Sequence, residues 1–78
     1  MYGYETLTPR QKRILQLLAY GKKTNEIAQL MFIAPATVRT HVDAINDKLG
    51  TSSKIQAMVI YWQNNIEELK NINIEGII

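Results

Sequence analysis

The dense helix punctuation of this chain limits it more than any other feature. Thr8-Pro9, Thr24-Asn25, Pro35 and Ser52-Ser53 each head a segment with apolar residues at helical spacing, and Gly21 and Gly50 stand behind two of them. Ser, Thr and Asn accept bonds from the free amides of a first turn. Proline fits the first helical position, where its missing N–H would have no partner. Glycine adopts the left-handed geometry that closes a helix. Four helices are therefore expected, over about 8–20, 24–31, 35–49 and 53–69, and the fold class is all-α.

Each segment carries its own signature. Thr8 and Gln11 form a capping box, and Ile14, Leu15, Leu17 and Leu18 give the first helix an apolar stripe. In the second, Thr24 or Asn25 caps, Glu26 suits the positive end of the helix dipole, and Ile27, Leu30 and Met31 are apolar beside the small Ala28. Phe32-Ile33-Ala34 leaves room only for a tight turn. The third helix has Val38, Val42, Ile45 and Leu49 on one stripe and Arg39, Thr40, Asp43, Asn46 and Asp47 opposite. The fourth starts at Ser52 or Ser53, with Ser53 and Gln56 as a second capping box. It is apolar on more than one side, through Ile55, Met58, Val59, Ile60, Tyr61, Trp62, Ile66 and Leu69. Beyond Lys70 the tail alternates like a short strand, but docking or fraying is the expectation.

Size and composition exclude several classes. Seventy-eight residues make one domain, and 46% apolar with 21% charged residues is ordinary for a folded chain. There is no cysteine, hence no disulfide and no thiolate metal site, and the lone His41 is no metal site by itself. No apolar run reaches membrane-spanning length, and the N-terminus lacks the regions of a signal peptide. A cytoplasmic protein is expected, without membrane, small-molecule ligand, cofactor, metal or catalytic site. Met1 suggests a complete small protein, although an excised fragment would look the same.

Charge is unevenly spread. Residues 9–54 carry eight basic and three acidic side chains, a net +5, while the remainder carries one lysine and four glutamates, a net −3. A basic body attracts polyanions such as nucleic acid.

The second and third segments, joined by a three- or four-residue turn, have the make-up of a helix-turn-helix. One helix braces on the DNA backbone and the next enters the major groove. The small residue at the crossing is Ala28, the apolar anchors are Ile33, Val38 and Val42, and the polar outer face is Arg39, Thr40 and Asp43. Glu26 to Val42 reads EIAQLMFIAPATVRTHV, Asp47 to Gly50 reads DKLG, and LTPRQKRILQLL lies upstream. In combination these resemble the DNA-binding domain of the LuxR/FixJ/GerE family of bacterial transcription regulators, over residues 6–66. Residues 67–78 then form a C-terminal extension whose role stays open.

The resemblance implies four helices, with the fourth at a dimer seam, and it sorts the polar residues. Arg39, Thr40 and Asp43 fall where family members reach base edges. Arginine can bond guanine O6 and N7 together, and a threonine methyl can meet that of thymine. Thr24, Asn25 and Thr37 match positions that hold phosphates from helix N-termini. Lys22, Lys23, Lys48 and Lys54 are candidate phosphate partners. His41 is expected to pack, with an edge of its imidazole hydrogen-bonded. Three departures from the family stand out: Ala34 where a Ser or Thr often caps, Asp43 where a basic or neutral polar residue is common, and the apolar Leu30.

The dimer positions implied are Ile55, Met58, Val59 and Trp62, leaving Ala57, Ile60 and Tyr61 for the core. The expected function is a transcription regulator that binds double-stranded DNA as a homodimer. It would be either a stand-alone protein or an excised effector domain, with no phosphoacceptor and no autoinducer pocket. The alternative is an interaction module whose apolar fourth helix and tail bind RNA polymerase, a sigma factor or another regulator.

Overall fold

A computed structural model describes residues 3–71 of the chain. A single 3-10 turn at Tyr4–Thr6 precedes five helices: α1 (Pro9–Ala19), α2 (Thr24–Met31), α3 (Pro35–Leu49), α4 (Lys54–Asn64) and α5 (Ile66–Lys70). Among the described residues there is no strand. Tyr2 and residues 72–78, most of the extension expected at 67–78, lie outside them.

The helix starts follow local chemistry, with two adjustments. At α1 the Thr8 hydroxyl accepts from the Gln11 amide at 3.1 Å, and Gln11 Oε1 accepts from the Thr8 amide at 2.9 Å, so the capping box is complete. At α2 the cap is Lys23, one residue before the expected Thr24 or Asn25. Its amide donates to Glu26 Oε1 at 2.9 Å, so the acid supplies its half of a capping box, while the lysine side chain has no acceptor with which to return the other half. At α4 Ser53 accepts from the Gln56 amide, but Gln56 Oε1 reaches back to Ser52, taking its amide at 2.8 Å and its hydroxyl at 3.1 Å.

The helix expected over 53–69 is broken. Asn65 leaves the helical region (φ −135°, ψ 42°) and its side-chain amide donates to the Tyr61 carbonyl at 2.7 Å. Asn64 does the same to the Ile60 carbonyl at 2.9 Å. The Asn65 side chain thus takes the carbonyl that its own amide would bond in a continuing helix, that amide donates to the Trp62 carbonyl at 3.2 Å instead, and the helix stops there. A new short helix, α5, begins at Ile66.

One core holds the elements together. Ile14, Leu15, Leu17 and Leu18 of α1 meet Ile27 and Ala28 of α2, Val38, Ile45 and Leu49 of α3, and Ala57 and Tyr61 of α4. Leu7, just before α1, is buried with them. α1 touches α2, α3 and α4, so it is the element on which the helix-turn-helix is mounted. Val42, expected in the core stripe, is half-buried, while Leu30, an apolar residue where the family usually has a polar one, is exposed as a small apolar patch.

Candidate nucleic-acid interface

α2 and α3 are joined by Phe32, Ile33 and Ala34 alone. Ala28 is 4% exposed at their meeting, and its carbonyl accepts from the Ile33 amide at 3.0 Å, which locks the turn. Val38 is fully buried and fixes α3 from below. A larger residue at position 28 would push the two helices apart.

This mounting leaves one face of α3 to solvent. Thr37, Arg39, Thr40 and Asp43 are all exposed on it. Thr40 donates its hydroxyl proton to the Ala36 carbonyl at 3.1 Å, which leaves its oxygen as an acceptor and its methyl as an apolar contact. Arg39 and Asp43 stand one turn apart without forming an ion pair; among the described residues the one ion pair is Lys70–Glu67, at 3.4 Å on the surface. The guanidinium and the carboxylate are therefore both available to an outside partner. Ala34 provides no side-chain cap, as its residue type dictates, and its carbonyl accepts from Thr37 and Val38.

The other predicted contact residues separate into two sets. Lys22, Lys23 and Asn25 are exposed and Thr24 is half-buried, all at the start of α2, and Lys54 is exposed at the first position of α4. Lys48 turns the other way. Its ammonium donates to the Thr6 carbonyl at 3.1 Å and to Gln11 Oε1 at 2.9 Å, while its own carbonyl accepts from the Gly3 amide at 2.8 Å. It ties the N-terminal turn to α3. His41 is half-buried, and among the described residues its ring makes none of the hydrogen bonds expected of it.

The four expected dimer positions also divide. Ile55 and Val59 are 68% and 52% exposed, but Met58 and Trp62 are half-buried against the core. Trp62 packs between Tyr20 and Tyr61, with ring centroids 5.2 Å from each. The exposed apolar line of this region therefore runs through Ile55 and Val59, and Ile66 and Leu69 of α5 are exposed as well.

Sequence reading missed two features. Glu68 of α5 accepts from Gln16 of α1 at 2.9 Å and from the Tyr61 hydroxyl, and Arg13 donates to Gln16 at 2.7 Å. Burial raises the Tyr61 phenol well above its ordinary pKa, and the hydrogen bond to Glu68 and its charge add to that. Phe32 is the second: it is 93% exposed and has left-handed backbone geometry (φ 57°). A three-residue turn without glycine, following a helix, was the available signal for it. Among the described residues no group of three acidic or histidine side chains could hold a metal ion, and no helix is long and apolar enough to cross a membrane.

Comparison with known proteins agrees with this geometry. The family model for bacterial regulatory proteins of the luxR family matches residues 5–61, well over half of the chain. The transcriptional regulatory protein LiaR of Bacillus subtilis is 41% identical over 63 residues, which is 81% of this chain and 30% of LiaR. The response regulator protein VraR of Staphylococcus aureus gives the same identity and coverage. The transcriptional regulatory protein YxjL of Bacillus subtilis is 37% identical over 62 residues, 80% of this chain and 28% of YxjL. The chain thus spans under a third of the length of these relatives. Among solved structures, a chain of the Vibrio cholera VqmA–ligand–DNA complex superposes with a TM-score of 0.67 and 38% identity, over 70% of this chain and 24% of that one. The match takes in α1, both helices of the helix-turn-helix and most of α4, and on that basis the chain belongs to the luxR family of bacterial regulatory proteins.

Proposed function

We propose that the chain is a transcription regulator that binds double-stranded DNA sequence-specifically, in the cytoplasm, as a homodimer with α3 in the major groove. One observation carries this reading: α3 is held by buried Val38, Ile45 and Leu49 while Thr37, Arg39, Thr40 and Asp43 stand exposed on its outer face. Arg39, Thr40 and Asp43 are assigned to base edges. Arg39 takes guanine, the Thr40 methyl meets thymine, and Asp43 accepts from cytosine N4. Thr24, Asn25, Thr37, Lys22, Lys23 and Lys54 are assigned to phosphates, which position the helix without reading sequence. Lys48 keeps its internal bonds and is left out of that set. Ile55 and Val59 form the centre of the dimer seam.

Selection from a random-sequence duplex pool at two salt concentrations tests the reading. An enriched palindrome is expected, because two-fold protein symmetry is mirrored in the site. Affinity should fall steeply with salt, because each neutralised phosphate releases counterions. Weak binding without a motif would favour the second reading, in which the exposed apolar residues Ile55 and Val59 of α4 and Ile66 and Leu69 of α5 dock on RNA polymerase or another regulator.

A further inference from the structure

α1, α2 and α3 close in the same way. The Lys22 amide returns to the Leu17 carbonyl at 3.0 Å, the Ile33 amide to Ala28 at 3.0 Å, and the Thr51 amide to Asn46 at 2.9 Å. Each closure needs one residue in the left-handed region just after the helix. Gly21 (φ 91°) and Gly50 (φ 69°) serve α1 and α3, but Phe32 (φ 57°) serves α2. Glycine adopts this geometry freely, whereas a side chain bearing a Cβ crowds its own carbonyl there. A bulky residue in that position normally gains something by packing, yet Phe32 is the most exposed large apolar residue of those described, at 93%. Neither backbone preference nor the core accounts for a phenyl ring at this point.

The ring stands on an open groove between Asn25 and Gln29 of α2 and the Ile33-Ala34-Pro35 lead into α3. No charged side chain lines it, so nothing there repels a phosphate strand. The groove is continuous with the DNA-facing surface: Asn25 is assigned to phosphate, and Ala34 and Pro35 lead directly into the helix assigned to the major groove. Side-chain amides beside an aromatic edge suit a sugar–phosphate strand, with phosphate oxygens on the amides and a deoxyribose on the ring. We propose that Phe32 is a DNA-contact residue, its ring packing on a deoxyribose of the strand seated in this groove. The inference rests on the duplex-binding reading above.

The test uses the full chain with Phe32→Gly and with Phe32→Asn, since both residues tolerate left-handed backbone. The expected result is a thermal midpoint unchanged or a few degrees higher, from relief of strain. Alongside it, affinity should drop about three- to tenfold, equally on the selected site and on a random duplex. The slope of affinity against salt should stay as in the unaltered chain, because a phenyl ring releases no counterion. Phe32→Tyr should bind normally. Unchanged duplex affinity in both variants would overturn the proposal and leave the ring to a protein partner. A loss confined to one base position would overturn the sugar contact. Absence of salt-dependent duplex binding in the unaltered chain would instead remove the underlying reading, and this inference with it.

Discussion

Arg39 and Lys48 carry the same charge on the same helix and serve different ends. Arg39 is exposed on the outer face of α3, and two of its five donors can bond guanine O6 and N7 together. Arg39→Ala is expected to weaken binding to the preferred site by about 1–3 kcal/mol and to relax base preference at one position. Selection repeated with the variant checks this; equal losses on specific and random duplexes would reduce Arg39 to a phosphate contact. Lys48, nine residues on, donates to Thr6 and Gln11. Removing a charged donor from a half-buried bond costs about 1–2 kcal/mol. Lys48→Ala should therefore lower the thermal midpoint by about 4–8 °C for each kcal/mol lost and leave the salt slope of duplex binding unchanged. A slope reduced by about one unit would return Lys48 to the phosphate contacts. Sequence pattern alone could not separate the two residues. Lysine is long enough to serve a surface or an internal carbonyl, and only the approach of the N-terminal turn to α3 decides which.

At the scale of elements, α4 shows both what pattern reveals and what it leaves out. The start of α1 and the stops of α1 and α3 were legible because a cap is a contact between neighbours: Thr8 with Gln11, Gly21 with the turn behind it, Gly50 likewise; α2 instead takes Lys23 as its cap and closes on Phe32, which no such contact announced. The break at Asn65 was not legible, since an asparagine in an apolar-periodic segment reads as one polar position until its side chain is seen on the Tyr61 carbonyl. The face assignments of α4 were half legible. Ala57 and Tyr61 are buried as expected and Ile55 and Val59 exposed, but Met58 and Trp62 sit closer to the core than a seam would place them. The aromatic partners Tyr20 and Tyr61 draw Trp62 inward, and they come from different elements. This decides which variant tests dimerisation. Trp62→Glu would put a charge among packed rings and threaten the fold. Ile55→Glu alters a side chain that is 68% exposed, so the fold should survive within about 0.5 kcal/mol. The expected outcome is an intact circular-dichroism spectrum with a monomer in sedimentation, and duplex affinity well below that of the dimer. A dimer that persists in this variant would move the seam off α4.

For the whole molecule, a small core makes peripheral polar clasps matter, because a chain of this size buries only about 60–65% of its unfolded surface. Two such clasps are present: Lys48 with Gln11 and Thr6, and Glu68 with Tyr61 and Gln16. The second joins α1, α4 and α5, and Tyr4 of the N-terminal turn packs edge-on against Tyr61 at 6.2 Å between ring centroids. Lys12 lies over the Tyr4 ring at 5.0 Å from its centroid. The Tyr61 phenol is held protonated above its ordinary range, first by burial and then by Glu68. In the unfolded chain the same phenol ionises near pH ~10. Above that pH the unfolded state binds fewer protons than the native one, so stability falls as pH rises and the full contribution of Tyr61 is present only below it. The Tyr61 share of the loss between pH 8 and pH 10.5 is on the order of 1 kcal/mol, or a shift of about 0.5–1 M in the urea midpoint for a domain of this size. Tyr61→Phe should be less stable than the unaltered chain at pH 8, because Glu68 loses a donor, and should lose less on going to pH 10.5. Urea titrations of both proteins at the two pH values measure this directly. Parallel losses would mean that other phenols or the lysines set the alkaline limit; a smaller loss in the variant would identify the α1–α4–α5 clasp as the point where the fold gives way at high pH.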